Sequence, residues 1–151
     1  MTRLLGIDLG ERRIGLAIAE PGAEPARPLA TIPRATSLAA DAARLAAVVR
    51  DQRIDELVVG LPIEASGTEG PMAVAARTWA AAIGASLERP VHLRDERLSS
   101  HVAEGRLGSM PRGRAGGPPS KTQRDRYRAR VDREAAAIIL QDELDARERQ
   151  A

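Results

Sequence analysis

From residue 4 to residue 19 the chain alternates. In Leu4-Leu5-Gly6-Ile7-Asp8-Leu9, positions 5, 7 and 9 point to one side of an extended segment and positions 4, 6 and 8 to the other. The same period returns in Ile14-Gly15-Leu16-Ala17-Ile18-Ala19, and Gly10-Glu11-Arg12-Arg13 between the two reads as a hairpin connection. Pro21 to Pro28 reads as loop, and Leu29-Ala30-Thr31-Ile32 as a short third strand stopped by Pro33. The period then changes. After Ser37, a favourable N-cap, Leu38, Asp41, Ala42, Leu45, Val48 and Val49 fall on helical spacing as far as about Gln52. Leu57-Val58-Val59 is a continuous apolar run, the signature of a strand covered on both faces, and it ends in Gly60-Leu61-Pro62. Residues 71–85 predict an Ala-rich helix and Pro90-Val91-His92-Leu93-Arg94 another strand. A further helix starts at Ser99 or Ser100 and runs to about Leu107. Repeated Gly and Pro exclude a regular element over 108–120, and a last helix from about Arg124 includes at least Val131–Leu144. Three antiparallel-type strands followed by strand–helix alternation specify an α/β chain with a mixed sheet.

Composition narrows the classes. A chain of 151 residues suits one domain that folds without cross-links. It has no cysteine, which excludes a disulfide scaffold, a thiolate zinc site and a cysteine nucleophile, and fits the cytosol. A charge close to Met1 argues against a signal peptide, and no apolar run approaches the roughly 20 residues of a membrane span. A cytoplasmic location is therefore expected. Aromatic residues are Trp79 and Tyr127 alone, so the core is aliphatic, and base-stacking aromatic platforms are not expected. Net charge is +2, but Arg106 to Arg133 carries nine basic and two acidic residues, +7, leaving −5 for the rest. Such a block is the footprint of a polyanion partner, and equally of a solvated loop.

Three carboxylates stand where the pattern does not favour them. Asp is depleted in strands, yet Asp8 lies in or just after the first one; a turn acid ahead of Gly10 is the plainer alternative. Asp95-Glu96 follows a strand at its C-terminal end, where α/β proteins place their chemistry, and local spacing does not choose between the two; a loop acid paired with Arg94 or Arg97 is the alternative. Asp132 shares a helix face with Ala135, Ala136 and Ile139, a face that must pack on the sheet, although a first-turn acid also suits the helix dipole. The small residues Ala135-Ala136-Ala137 allow close approach of that helix. Carboxylates are hard ligands for Mg²⁺ or Mn²⁺, and a pair of such ions roughly 3.5–4 Å apart serves phosphodiester hydrolysis. His92 and His101 are isolated and read as ordinary strand and helix residues.

Five segments in order carry a resemblance. They are Gly6-Ile7-Asp8-Leu9-Gly10-Glu11-Arg12-Arg13-Ile14-Gly15, Val59-Gly60-Leu61-Pro62, Gly67-Thr68-Glu69-Gly70-Pro71, Asp95-Glu96-Arg97-Leu98-Ser99-Ser100, and Val131-Asp132-Arg133-Glu134-Ala135-Ala136-Ala137-Ile138-Ile139-Leu140-Gln141. Together they resemble the YqgF/RuvX family of Holliday-junction-resolvase-like proteins and pre-16S rRNA nucleases. The resemblance implies an RNase H-like fold: a five-stranded mixed sheet flanked by helices, in one domain over 1–151 with a flexible basic loop at about 108–123. It implies that Asp8, Glu96 and Asp132 form the catalytic triad and hold Mg²⁺ or Mn²⁺, two ions in all. Arg13, Arg97, Arg112, Arg114, Lys121, Arg124 and Arg128 are the expected nucleic-acid contacts, although Arg13 could instead pin the hairpin. Gly67-Thr68-Glu69-Gly70 could offer N–H groups to a phosphate; the simpler expectation is Thr68 as N-cap with Pro71 in the first turn. Glu134 points elsewhere on its helix, so a fourth acidic ligand is not expected.

The activity expected from the resemblance is metal-dependent endonucleolytic processing of the 5′ end of pre-16S rRNA, with the small-subunit precursor as partner and no membrane involved. Alternatives are a Holliday-junction-resolvase-like DNA nuclease and a non-catalytic RNA-binding assembly factor. Gly6-Ile7-Asp8-Leu9-Gly10 also resembles the phosphate motif of actin-like ATPases, which need two such domains.

Overall fold

The alternation of the first strands places β1 (Leu4–Leu9) at the centre of a sheet, with apolar residues needed on both sides of it. In the computed structural model, which describes residues 2–20, 22, 25–63, 66–96 and 99–150, β1 pairs antiparallel with β2 (Arg13–Ala19), and β2 with β3 (Arg27–Pro33). On its other side β1 runs parallel to β4 (Glu56–Leu61), and β4 to β5 (Val91–Asp95), giving the order β3-β2-β1-β4-β5. Parallel neighbours need crossover connections. Helix α1 (Leu38–Gln52) leads into β4, and α2 (Pro71–Leu87) joins β4 to β5. After the sheet, the described residues form α3 (Ser99–Leu107) and the 30-residue α4 (Lys121–Gln150), with one short 3-10 turn, Arg114–Gly116, in the Gly- and Pro-rich segment between them where no regular element is expected.

The two faces of the sheet are covered separately. Leu5, Ile7 and Leu16 face α1 and α2, where Leu45, Val49, Trp79 and Ile83 complete a buried aliphatic layer. Leu4, Ala17, Ala19 and Val58 face α4, against Ala136, Ala137, Ile139 and Leu140. Ala103 of α3 packs on Tyr127, Val131 and Ala135 of α4. The Tyr127 hydroxyl donates to the Gly108 carbonyl at 2.7 Å.

Several local predictions hold and a few shift. Ser37 caps α1, its hydroxyl accepting the Ala40 N–H at 3.2 Å. Asp41, expected on the apolar stripe, is a buried polar tie: it accepts the Ala35 N–H at 2.7 Å and the Trp79 indole N–H at 3.3 Å. The third strand starts earlier than Leu29, with Arg27 and Pro28 paired to Ile18 and Ala17; an edge strand tolerates a proline because its outer side needs no donor. Thr68 is not the cap of α2. Gly70 holds that position without a side-chain bond and Pro71 is the first helical residue, as a proline's missing N–H allows. Helix α4 begins at Lys121, earlier than Arg124, because Ser120 and Gln123 cap it reciprocally: the Ser120 N–H donates to Gln123 Oε1 at 2.8 Å and the Gln123 N–H to Ser120 Oγ at 3.1 Å. Residues 121–123 of the expected basic loop are therefore helical.

Candidate active site

Position 8 shares its strand face with Leu4 and Gly6, so Asp8 looks toward α4. That face is floored with glycine. A Cβ built on Gly15, the residue paired with Asp8, would collide with the backbone carbonyl of Asp132. One on Gly6 would lie 2.8 Å from the Ala136 carbonyl, and one on Gly60 would lie 2.6 Å from Ile139 Cδ1 and 2.7 Å from Glu96 Oε2. Real Cβ atoms do not approach so closely. Strand backbone and helix backbone are thus in direct contact, and a glycine inside a strand is the usual mark of such an approach. This contact sets Asp132 over the end of β1.

Glu96 follows β5 and extends its pairing, its N–H donating to the Leu61 carbonyl at 3.0 Å. Its carboxyl lies over Gly60 and is hydrogen-bonded to the side chain of Asp8, which is only 9% exposed. Burial first, then the bond to Asp8 and the charges of Asp8 and Asp95, push Glu96 up to about 10. Asp8 is also raised, by burial and by the charge of Asp132, against the bond from Glu96. Two buried carboxyls in contact cannot both stay ionised unless a cation lies between them; without one, they share a proton.

Asp132 completes the cluster differently. Burial raises it, and the Arg13 guanidinium opposes that rise, with Arg13 Nε donating to Asp132 Oδ2 at 2.6 Å. Arg128, one turn earlier on α4, adds a second positive charge nearby. Asp8 and Glu96 therefore face each other while Asp132 is turned to Arg13. Among the described residues no three acidic or imidazole side chains converge on one point as they stand. The donor set still suits a hard divalent cation: all three groups are carboxylates, two are buried in mutual repulsion that a cation would relieve, and Asp132 is held one strand away. Other acids on α4 and β4 are committed to bases. Glu134 accepts from Arg106 at 3.0 Å and Asp142 from Arg94 at 2.7 Å, and Glu56 lies 2.6 Å from His92 Nε2.

The basic residues divide into two groups. Arg13 and Arg128 stand beside Asp132. Arg112, Arg114, Lys121 and Arg124 are exposed on the loop before α4 and on its first turn. Lys121 begins that helix eleven residues before Asp132, roughly 16 Å along its axis. Arg97 lies outside the described residues. Sequence reasoning did not find the Arg13–Asp132 pair, which joins positions 119 apart and has no local signal. It also passed over the glycine floor, whose signal was present: three glycines inside strand-forming segments.

Known proteins resemble this chain along its length. The profile of the RuvX family, described as Holliday junction resolvase, matches residues 2–146. A protein of Anaeromyxobacter dehalogenans strain 2CP-1, provisionally named pre-16S rRNA nuclease, is 48% identical over 145 residues, 96% of this chain and 98% of its own. One of Chloroflexus aggregans with the same name is 42% identical over 144 residues, 95% and 94% of the two chains. Among solved structures, RuvC of Thermus thermophilus superposes with a TM-score of 0.55 at 18% identity over 97% of this chain and 96% of that one. The likeness establishes the fold, an RNase H-like mixed sheet flanked by helices.

Proposed function

We propose that this chain, which belongs to the RuvX family, is a divalent-metal-dependent endonuclease that hydrolyses phosphodiester bonds and trims the 5′ end of precursor 16S rRNA. The observation that carries the reading is the buried Asp8–Glu96 pair on the sheet face where α4 delivers Asp132. A structural role alone does not favour two hydrogen-bonded carboxyls under a helix, since an apolar pair there would cost less.

Asp8, Glu96 and Asp132 would hold Mg²⁺ or Mn²⁺. When bound, the ions would act as Lewis acids toward the phosphate and lower the pKa of the attacking water. The chain's own part is to prepare that site. Asp8 and Glu96 must release the proton they share before both serve as charged ligands. Arg13 opposes the rise that burial imposes on Asp132 and orients its carboxyl, and its guanidinium also lies within the site, where it can meet a phosphate oxygen. Arg128 adds positive charge on the same side, and Arg112, Arg114, Lys121 and Arg124 extend it along the strand's path. Contacts of this kind hold and orient a nucleic acid without reading its sequence, so binding weakens steeply with salt.

RNA is favoured over branched DNA by the name of the relatives at up to 48% identity. The family's description favours junction DNA, which requires two sites acting together on one junction, and hence a symmetric dimer. The deciding experiment incubates the protein with Mg²⁺ or Mn²⁺ and, in parallel, a precursor 16S rRNA 5′-region transcript and a four-way DNA junction. RNA cleavage that vanishes in Asp8→Asn supports the proposal, with a loss of at least about 10²-fold, as for other groups that stabilise a transition-state charge. Paired symmetric cuts in the junction replace the RNA reading with the DNA one. Salt-sensitive binding without cleavage of either points to a non-catalytic assembly factor.

A further inference from the structure

Beside Asp132, between the start of β2, α3 and α4, lies a cavity of about 280 Å³. Arg13, Glu104, Met110, Tyr127, Arg128 and Val131 line it. Its lining is of two kinds. Tyr127 and Val131 are 9% and 7% exposed, Met110 is half-buried, and they form an apolar wall; the Tyr127 hydroxyl is already engaged by Gly108, which fixes the ring in that wall. The polar groups are two guanidiniums, Arg13 and Arg128, and two carboxylates, Glu104 and Asp132. The two acids offset the two bases, so the cavity does not select an anion, and a phosphate entering it would meet both carboxylates.

A ligand that matches this lining is flat and neutral, with faces for the apolar wall, donors on one edge and acceptors on another. That is the description of a nucleobase. The size agrees: at about 280 Å³ the cavity lies near the lower end of the roughly 300–1,000 Å³ of small-molecule pockets, room enough for one base. Its position agrees too, since Asp132 is at once a wall of the cavity and a member of the acid cluster. We propose that this cavity receives a single unstacked nucleobase of the strand being cut, next to the scissile phosphate, and that guanine fits it best. Glu104 accepts from the N1–H and N2–H edge, Arg128 donates to O6 or N7, and Met110, Tyr127 and Val131 take the ring faces. The location of the strand rests on the nuclease reading; the chemistry of the cavity does not.

The test uses the cavity's own methionine. The chain has three, Met1, Met72 and Met110. Met72 is 62% exposed on α2, on the opposite side of the sheet. In protein labelled with ¹³C at the methionine methyls, assigned with Met110→Leu, guanosine 5′-monophosphate should move the Met110 signal saturably and leave Met72 in place, while ribose 5-phosphate moves neither. Glu104→Gln should weaken the guanosine monophosphate titration roughly tenfold, the loss usual for one hydrogen bond to a charged group, with little change for uridine monophosphate. A Met110 signal that stays put up to millimolar nucleotide, or that moves equally with ribose 5-phosphate, overturns the proposal. If Met110 responds to the base while the protein cuts neither RNA nor junction DNA, the nuclease reading fails and the base site stands. If cutting persists and Met110 is silent, the base site alone falls.

Discussion

On the side of the sheet covered by α1 and α2, the strands present Leu5, Ile7, Leu16 and Val59, all fully buried. On the side covered by α4, the neighbouring positions are Gly6, Asp8, Gly15, Ala17 and Gly60. The first side fills its volume with branched side chains, which maximises apolar burial and dispersion contacts. The second gives up that volume so that α4 can rest backbone to backbone on the strands. What it gains is position, because the Asp132 carbonyl is seated against Gly15 and its carboxylate is carried to within reach of Arg13. Stability and chemistry are thus divided between two sides of one sheet, at neighbouring residues of the same strands.

That division can be broken from either side. Leu45→Ala removes a fully buried side chain on the α1 face and should cost about 2–5 kcal/mol in denaturant unfolding. Nuclease activity per folded molecule should not change, and a larger fall would show that the faces are not separable. Gly15→Ala attacks the other side. It should cost about 1–3 kcal/mol, as overpacking does, yet reduce cleavage far more than the folded fraction explains, since the added methyl displaces α4 at Asp132. Full specific activity in that variant would refute the role assigned to the glycine floor.

The smallest effect is a slope. Asp8 and Glu96 are both raised, so between the ordinary Glu value of 4.5 and about 10 the folded protein holds a proton that the unfolded chain has released. Stability of the metal-free protein is then greatest below about pH 4.5 in this respect and falls as pH rises toward 10, by at most about 1.4 kcal/mol per pH unit for one proton. Thermal unfolding across pH 6–9 should show this decline in the wild type, a flatter profile in Asp8→Asn, and loss of the decline in saturating Mg²⁺, where a cation replaces the proton. A wild-type profile without any decline over this range would mean that the pair holds no proton.

Much of this arrangement is legible in the sequence. The period of two in β1 assigned Asp8 to the face of Leu4 and Gly6, and the small residues at 135–137 foretold a close helix. Elements failed where a local rule was read too strongly. The loop expected over Pro21–Pro28 gives up Arg27 and Pro28 to the edge strand, and the cap expected at Thr68 falls on Gly70, which needs no side chain to start α2. The meeting of Asp8, Glu96 and Asp132 lay beyond spacing altogether, because their proximity depends on sheet order and on the absence of side chains at 6, 15 and 60. Only the resemblance to a family supplied it. The buried bond from Trp79 to Asp41 was invisible for the same reason: 38 positions separate the partners.

The scarcity of aromatic residues has an experimental consequence. The chain holds one tryptophan, one tyrosine and no phenylalanine. Trp79 is buried in the layer of α1 and α2, with its indole N–H on Asp41, and Tyr127 is buried in the layer of α3 and α4, with its hydroxyl on Gly108. Each side of the sheet therefore carries its own intrinsic fluorophore in a distinct polar setting. Unlabelled protein offers two optical channels, one reading the hydrophobic layer and the other reading the wall of the cavity beside Asp132.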